Sequence, residues 1–556
     1  MRVDDQLNEL LRQAVGPLDP TIEPASLRWE VPKDPTFGDL SSPISFRLAS
    51  KQGQAPQQLA ERLVTVLQDT VRRSPLDGLV ERLEAKRGFV NVFLSQQALT
   101  QILAQINRAT HQYGTSRLGQ GKAVLIEFVS ANPTGPLSVA HGRQAAVGDA
   151  LARVLGAQGY RVVREYFLND EGRQIELLGR SLQARYAEFL GQAIPFPEEG
   201  YRGAYLYEVA KAFHTRYGAR FLDQLDDSSL SRFVAFGIEA ILREIQQDLI
   251  RFRLRFDRWV SQRWLRTSGR IDRALVTLKR RGALYEQDDA LWFASTKFGD
   301  DKDRVVQKRT GELTYLAPDI AYHHWKFERG FSQLVNLWGP DHHGYIPRLV
   351  ASVQALGLPA ERLVIRIVQL VTLSRHGKPI PMSKRQGEFV TLGEVLDEVG
   401  VDATRFFYLM RTLDSHLEFD LDLAKAKVQE NPVYYVQYAH ARIWSILTYA
   451  SQQLSWRKRR GPADLSRLAE PEERLLLRQL FQFPMVVRLC AQSLDPHGLT
   501  IYLQKLAELF HVFYTQHRVV SEDIPLSRAR LALVHATQWV LANGLGLLGV
   551  SAPKRM

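Results

Sequence analysis

The sequence predicts an α/β protein centred on a doubly wound parallel sheet with a helical insertion. Two strand–loop–helix–strand units, separated by about 170 residues, support this prediction. A small α+β module precedes the first unit, and an all-helical bundle follows the second. Because each unit has the length of one βαβ crossover, we expect their strands to lie parallel in one sheet.

Composition excludes several classes of protein. The chain has 556 residues, of which 45% are apolar and 24% are charged, so wholesale disorder is excluded. The formal net charge of +12 favours a polyanionic partner, with nucleic acid as the first candidate, although many basic proteins bind none. The single cysteine, Cys490, excludes a disulfide scaffold and a CxxC zinc site.

We expect a cytoplasmic protein with a reduced thiol and no membrane segment. The first residues lack the apolar region of a secretory signal. No uncharged apolar stretch approaches the length of about 18 residues that spans a bilayer.

The N-terminal zone, residues 1–110, is expected to be helical except for one strand. In residues 88–94, Phe89, Asn91 and Phe93 alternate with two valines, which is typical of a strand in a small α+β module.

The first central unit begins with an apolar run at 123–129, which suits a buried parallel strand. A loop rich in proline and glycine follows at 130–137. Apolar residues then recur at helical spacing over 146–155, and 161–168 is predicted to be the next strand.

The second central unit repeats this order. We predict a strand at 334–338, a loop at 339–344, a helix at 346–356 and a strand at 364–371.

Two further zones are expected to be helical. One, at about 185–300, is inserted between the two units. The other begins near residue 421 and forms a C-terminal bundle that carries basic runs, each of which taken singly is more often a solvated face than a nucleic-acid site.

Two loops have the chemistry of phosphate sites. His141 and Arg143 fall in the first helical turn after a buried strand, where backbone N–H groups and the helix dipole favour an anion. The loop 378–387 carries Lys384, a mobile point charge, and Arg385, a planar fork suited to triphosphate. Each loop has a plainer alternative. The first could be a strand-to-helix turn with a capping histidine, and the second could be an exposed surface loop.

A third segment, 311–324, contains a candidate acidic site. Asp319 could cap the next helix, or it could receive a cationic ligand together with Tyr315. Histidines at 323, 324, 342 and 343 have no zinc-site spacing, so we predict no metal ligands.

Together these segments resemble the class I aminoacyl-tRNA synthetases, and closely the arginyl-tRNA synthetases. Ser138-Val-Ala-His141 stands at the position of the HIGH motif, and Met382-Ser-Lys-Arg385 stands at that of KMSK. The other matching segments are 127–137, 166–170, 298–304, 338–344, 402–407, 431–442 and 542–556. The resemblance therefore runs nearly from end to end of the chain.

The resemblance implies a two-step reaction. Arginine and ATP form arginyl-adenylate and pyrophosphate, and the terminal ribose of tRNA(Arg) then takes the arginyl group. His141 and Lys384 would stabilise the charge that grows on the phosphates, helped by Mg²⁺, Ser138 and Arg385. The residues expected to contact ATP are Ser138, His141, Gly339, Asp341, His342, Met382, Ser383 and Lys384.

The resemblance also implies an arginine pocket. Asp319 would hold the guanidinium, Tyr315 would hydrogen-bond to it, and Glu127 and Asn132 would hold the other polar groups of the substrate. Such a pocket rejects uncharged side chains because Asp319 would be left buried and unpaired, and it rejects lysine because an ammonium does not match the fork geometry.

Each part of the chain receives a role from the same resemblance. The expected parts are a module that reads the tRNA elbow at 1–110, a Rossmann-type catalytic domain at 111–385, a connecting segment at 386–420 and an anticodon-binding bundle at 421–556. Phe89 and Asn91 would face nucleotides, and Tyr435 and Tyr438 would stack on anticodon bases. Core packing is the alternative for tyrosines at helical spacing. The family resemblance implies a monomer.

Three residues depart from the family pattern. Ser138 and Ala140 replace the first histidine and the glycine of HIGH, and Pro381 replaces the first lysine of KMSK. Two hypotheses follow: a working arginine–tRNA ligase with an altered ATP loop, or a synthetase-like paralogue that binds tRNA or arginine without efficient activation. The presence of Asp319 and His141 favours the ligase.

Overall fold

The computed structural model describes residues 3–22, 27, 29–32, 34–380, 389–452 and 463–556. The strands are β1 (Leu40–Ser42), β2 (Val80–Lys86), β3 (Phe89–Leu94), β4 (Ala123–Glu127), β5 (Arg161–Leu168), β6 (Arg258–Ser261), β7 (Leu284–Gln287), β8 (Ala290–Phe293), β9 (Arg304–Gln307), β10 (Gln333–Trp338), β11 (Leu363–Ile367), β12 (Val371–Arg375), β13 (Lys378–Pro379) and β14 (Leu417–Asp420).

The α-helices of this part of the chain are α1 (Val3–Val15), α2 (Ile44–Gln52), α3 (Pro56–Arg72), α4 (Gln96–Ala109), α5 (Val139–Ala157), α6 (Arg173–Phe189), α7 (Tyr205–Tyr217), α8 (Asp227–Arg251), α9 (Gln262–Thr267), α10 (Arg270–Arg280), α11 (Leu316–Glu328), α12 (Ile346–Ala355), α13 (Leu392–Val399), α14 (Val401–Tyr408), α15 (Leu421–Lys425), α16 (Pro432–Gln452), α17 (Pro471–Ser493), α18 (His497–Gln516) and α19 (Ile524–Leu548). Short 3₁₀ turns lie at Pro35–Phe37, Thr110–Gln112, Ser295–Phe298, Pro340–Tyr345, Ala360–Arg362 and Leu465–Arg467.

Five parallel strands form the central sheet, in the spatial order β11, β10, β4, β5 and β6. The two predicted units are β4–α5–β5 and β10–α12–β11, and they meet where β4 pairs with β10. Leu125, Ile126 and Val335 in these central strands are fully buried. Helices cover both faces of such a sheet, which explains the nearly continuous apolar runs. The predicted doubly wound parallel sheet is confirmed.

Two predicted strands are shorter in the structure. β4 ends at Glu127 because Val129 and Ser130 have φ values of 67° and 38°, which lie outside the extended region. The apolar run at 364–371 is divided between two sheets. β11 ends at Ile367, and Val371 opens β12, which pairs with β14 in parallel.

The segment predicted to be a helical insertion, 185–300, contains strands as well as helices. α7 and α8 pack against α6 or against each other, β6 returns to the edge of the central sheet beside β5, and α9 and α10 follow. β7, β8 and β9 form a separate antiparallel sheet. Each of these strands has only four residues, and β7 and β9 mix polar with apolar side chains, so periodicity does not reveal them.

The two flanking parts have the predicted folds. The N-terminal module packs helices on the antiparallel sheet β1–β3–β2, and α16–α19 form the C-terminal bundle. α19 is long and apolar enough to cross a membrane, but 56% of its apolar window is buried inside the protein. It contacts α4, α16 and α18 and is therefore a core helix of the bundle.

A fully buried arginine, Arg405 on α14, joins three parts of the catalytic and C-terminal regions. Its guanidinium donates hydrogen bonds of 2.6 Å to the Asp149 carboxylate, 2.8 Å to the Phe252 carbonyl and 3.0 Å to the Leu548 carbonyl. Leu548 is the last residue of α19, the final helix of the bundle. The Arg405 side chain therefore connects the bundle to the catalytic region.

We predict that Arg405→Met lowers the free energy of unfolding by about 3 kcal/mol, because it leaves buried acceptors without donors. Chemical denaturation followed by circular dichroism measures this change. Arg243→Met removes an exposed ion pair with Glu239 and should cost less than about 1 kcal/mol. Equal effects of the two substitutions would contradict the prediction.

Candidate active site

A cavity of about 1430 Å³ opens at the carboxyl ends of β4 and β10. Both halves of the sheet contribute to its wall, as expected where the strand order reverses in a doubly wound fold. The predicted site residues that line it are Glu127, Asn132, His141, Tyr315, Asp319, Gly339, Asp341 and His342. The structure therefore brings together eight of the residues that the sequence singled out.

His141 is oriented by the start of its own helix. The backbone N–H of Ser138 donates a hydrogen bond of 3.1 Å to Nδ1 of His141, and the Ser138 hydroxyl lies 3.1 Å from the same nitrogen. Because Nδ1 accepts a hydrogen bond, the neutral ring carries its proton on Nε2. His141 lines the cavity, and this hydrogen bond fixes the tautomer of its neutral form.

Ser138 lies at the start of the helix that carries His141. Its side chain is buried, and it is not part of the cavity wall. The hydroxyl is engaged in the capping arrangement with His141, as is usual for a serine at a helix N-cap. Its predicted contact with the nucleotide stays a prediction.

The predicted residues Met382, Ser383, Lys384 and Arg385, and the departure at Pro381, lie outside the described residues. The chain that follows them belongs to the site. Phe389 lines the cavity, Thr391 forms a β-bridge with Ser138, and the Leu392 N–H donates to the Leu137 carbonyl at 2.7 Å.

Asp319 in the first turn of α11 is the acidic group of the cavity. Its Oδ2 accepts a hydrogen bond of 2.6 Å from the Tyr345 hydroxyl, so the carboxylate does not serve as a helix cap. Burial raises the pKa of Asp319 to about 6, against the lowering effect of the Tyr345 hydrogen bond, and the nearby Glu127 charge raises it further. A cation in the cavity would lower this pKa and gain binding energy.

A buried polar network lies beneath Asp319. The Lys326 ammonium pairs with Oε2 of Glu127 and donates to Oδ1 of Asn336 at 3.0 Å. Asn336 Nδ2 therefore donates to Nε2 of His323 at 2.8 Å, and Nδ1–H of His323 donates to the Asp319 carbonyl at 2.9 Å. The network fixes the backbone that carries Asp319.

His323 is part of this network. Both ring nitrogens of His323 are engaged in the network, and burial keeps its pKa well below the usual range. Among the residues that the structure describes, there is no group of three or more His, Cys, Asp or Glu side chains that could hold a metal ion.

Sequence reasoning missed Lys326, Tyr345 and one wall of the cavity. That wall comes from residues 198–205, and the Tyr205 hydroxyl donates to the Thr134 carbonyl. The available indication of Lys326 was a lysine between two aromatic residues, Trp325 and Phe327. Tyr345 ends the segment that carries Gly339 and Asp341. Its position in this segment was the only sign in the sequence that it belongs to the site.

The predicted tRNA-contacting residues have mixed environments. Asn91 is fully buried, and its Oδ1 accepts a hydrogen bond of 2.7 Å from Ser41. This hydrogen bond fixes the Asn91 side chain beside β1, and its contact with nucleotides stays a prediction. Phe89 is half-buried, with its ring centroid 5.0 Å from that of Phe46.

Tyr435 and Tyr438 are half-buried on α16 and belong to one aromatic cluster. Their ring centroids lie 4.6 Å and 5.7 Å from that of His511. Both packing and base stacking are compatible with this arrangement.

Comparison with known families identifies the architecture. Residues 98–408 match the family described as tRNA synthetases class I (R), catalytic domain. Residues 5–94 match the arginyl tRNA synthetase N terminal domain, and residues 436–556 match the DALR anticodon binding domain. The chain belongs to the arginyl-tRNA synthetase family.

Relatives and solved structures support this assignment. The synthetase is 46% identical to the arginine–tRNA ligase of Geobacillus thermodenitrificans over 561 aligned positions, which cover 100% of this chain and 99% of the relative. An arginyl-tRNA synthetase structure from Campylobacter jejuni, described as putative, is 32% identical, with a TM-score of 0.76 over 83% of this chain and 100% of that one. The Thermus thermophilus arginyl-tRNA synthetase shares the fold over 100% of both chains, with 23% identity and a TM-score of 0.79.

The synthetase is therefore a class I arginine–tRNA ligase, which activates arginine and charges tRNA. Nothing in these comparisons supports the alternative of a paralogue that does not activate arginine.

We predict that Lys326→Met lowers the free energy of unfolding by about 3–5 kcal/mol, because it leaves the Glu127 carboxylate buried without a cation. Thermal or chemical denaturation at pH 7 measures the loss. As a control, Lys308→Met removes an exposed pair with Glu312 and should cost less than about 1 kcal/mol.

The double variant Lys326→Met, Glu127→Gln removes both charges and should recover part of the stability. A double variant no more stable than Lys326→Met would contradict the assigned pairing.

Proposed function

We propose that the cavity holds arginine with its guanidinium on the Asp319 carboxylate and its carboxyl group toward His141. The observation that carries this proposal is the environment of Asp319. This carboxylate lines the cavity, and burial raises its pKa to about 6. Its hydrogen-bond partner is the neutral Tyr345 hydroxyl, so the position suits a cationic ligand.

The other cavity residues complete the arginine subsite. Tyr315 is 59% exposed and stands at the start of α11, where its hydroxyl is available to the same ligand. Asn132 is held by a hydrogen bond of 2.7 Å from its Nδ2 to Gln174. Glu127 is already paired with Lys326, so we propose that it acts on the substrate α-ammonium as part of that pair.

ATP is proposed to lie between the start of α5 and the turn that follows β10. The His141 imidazole would donate from Nε2 to the phosphates, and Gly339, Asp341 and His342 would border the adenosine. Lys384 and Arg385 are proposed to supply further positive charge. Mg²⁺ is proposed to enter with ATP on the phosphate oxygens, as is usual for nucleotide enzymes.

Activation in such a site is mainly alignment and electrostatics. The arginine carboxylate attacks the α-phosphate, and pyrophosphate leaves with the electrons of the broken P–O bond.

We propose further that residues 1–110 contact the tRNA elbow, that residues 421–556 bind the anticodon, and that the synthetase acts as a cytoplasmic monomer. The net charge of +12 supports tRNA binding.

Arginine-dependent exchange between ATP and labelled pyrophosphate tests activation. We expect exchange in the presence of tRNA(Arg), because the family resemblance implies that tRNA is needed for activation. The reaction should be assayed with and without tRNA. Absence of exchange under both conditions would overturn the proposed activity.

We predict that arginine binding weakens as the pH falls through 6. With a pKa of about 6, roughly one Asp319 in ten is ionised at pH 5, so the affinity should be about tenfold lower there than at pH 7. Isothermal titration at pH 5, 6 and 7 measures this dependence.

Asp319→Asn serves as the matched control for this titration. It should weaken arginine binding by about 10- to 100-fold at pH 7 and abolish the dependence on pH between 5 and 7. Retention of the wild-type pH dependence in the Asn variant would show that another group titrates.

A further inference from the structure

Helices α9 and α10 carry an unusual concentration of positive charge. Residues 262–281 contain six arginines and one lysine against a single acidic residue, Asp272. Their net charge of +6 is half of the formal net charge of the whole chain, +12. Arg263, Arg266 and Arg273 are exposed, so this charge faces solvent.

Aromatic side chains interleave with these arginines. Trp264 on α9 is 39% exposed, and its ring centroid lies 4.8 Å from that of Trp325 on α11. The Arg270 guanidinium lies 4.7 Å from the Trp264 ring and 5.2 Å from the Trp325 ring. Arg258 on β6 approaches Trp325 at 5.7 Å. Arginines beside a partly exposed aromatic ring suit phosphates and bases.

Some of the neighbouring arginines are neutralised and some are not. Arg266 pairs with Glu171 at 3.0 Å, and Arg329 is paired with the buried Glu165. Within the described part of the chain, Arg270 and Arg273 form no ion pair, and the buried Nε of Arg270 has no hydrogen-bond partner.

The surroundings of Arg270 confirm an excess of positive charge. Burial lowers the pKa of Arg270, and the charges of Arg273 and Arg329 lower it further, while Glu328 on α11 acts in the opposite direction. Asp272 is the single acidic residue of α10. These two carboxylates are fewer than the cations around them, so the surface keeps an excess of positive charge.

This surface begins at the wall of the active-site cavity. Gln262, the first residue of α9, lines the cavity, and so does Tyr322, which lies one turn before Trp325 on α11. A polyanion that lay along α9 and α10 would therefore have its end beside the cavity. The substrate whose end must enter this cavity is tRNA.

We propose that the surface formed by Arg258, Trp264, Arg270 and Arg273, the Arg–Trp surface, binds the acceptor arm of tRNA. Arg270 and Arg273 contact phosphates, and Trp264 stacks on an unpaired base near the 3′ end. This proposal rests on the proposed function of charging tRNA. An RNA is favoured over an acidic protein because the surface leads to the place where the 3′ end reacts.

Binding of an acceptor-arm minihelix, followed by fluorescence anisotropy, tests the proposal. The double variant Arg270→Ala, Arg273→Ala should bind the minihelix about tenfold more weakly or worse. The salt dependence of log K should become shallower by about two, because two phosphate contacts are lost. The control variant Arg216→Ala, Arg243→Ala removes the same charge from two exposed arginines that pair with Glu239, and its affinity should be unchanged.

Variants of Trp264 separate stacking from folding. Trp264→Ala should weaken minihelix binding about tenfold, and Trp264→Phe should restore most of the affinity because it keeps an aromatic face. Arginine binding should be the same in both variants and in the wild type.

Two outcomes would overturn the proposal. One is minihelix affinity unchanged in the Arg270, Arg273 variant, and the other is an equal loss in the Arg216, Arg243 control. Charging by the wild-type enzyme is measured in parallel. If the wild type charges tRNA and the variants bind the minihelix normally, the surface is misassigned while the proposed function stands. If the wild type charges no tRNA, the proposed function itself fails.

Discussion

The pairing of β4 with β10 is the contact on which the site depends. These strands come from different halves of the chain, and their register places Asn336 opposite Glu127. Lys326 binds both of these side chains from α11. A single ammonium thus ties the two strands to the helix that carries Asp319. Because parallel strands end at the same edge, the residues proposed to contact phosphate, arginine and adenosine all meet there.

Burial has opposite consequences for the two carboxylates of this cavity. Glu127 is compensated by Lys326. Asp319 has the Tyr345 hydroxyl as its hydrogen-bond partner, and burial raises its pKa. In the proposed pocket, a guanidinium would restore the charge balance at Asp319, which a neutral side chain cannot do.

The sequence allowed the main chain of this site to be predicted, but not the contacts between its side chains. Strand 161–168 and the positions of His141 and Asp319 followed from apolar periodicity and from residue types in loops. The buried hydrogen bonds of Ser138 and Asn91 were not predicted, because they depend on partners that periodicity does not show. β6 was missed because a four-residue edge strand carries little pattern. The contacts of Lys326 could not be predicted, because they depend on which strands become neighbours in the sheet.

A crystal structure of the synthetase with a non-hydrolysable arginyl-adenylate analogue tests the central claim most directly. We expect guanidinium nitrogens about 3 Å from the Asp319 carboxylate and the phosphate substitute beside His141. An analogue bound with its guanidinium away from Asp319, while that carboxylate keeps only its Tyr345 partner, would contradict the account.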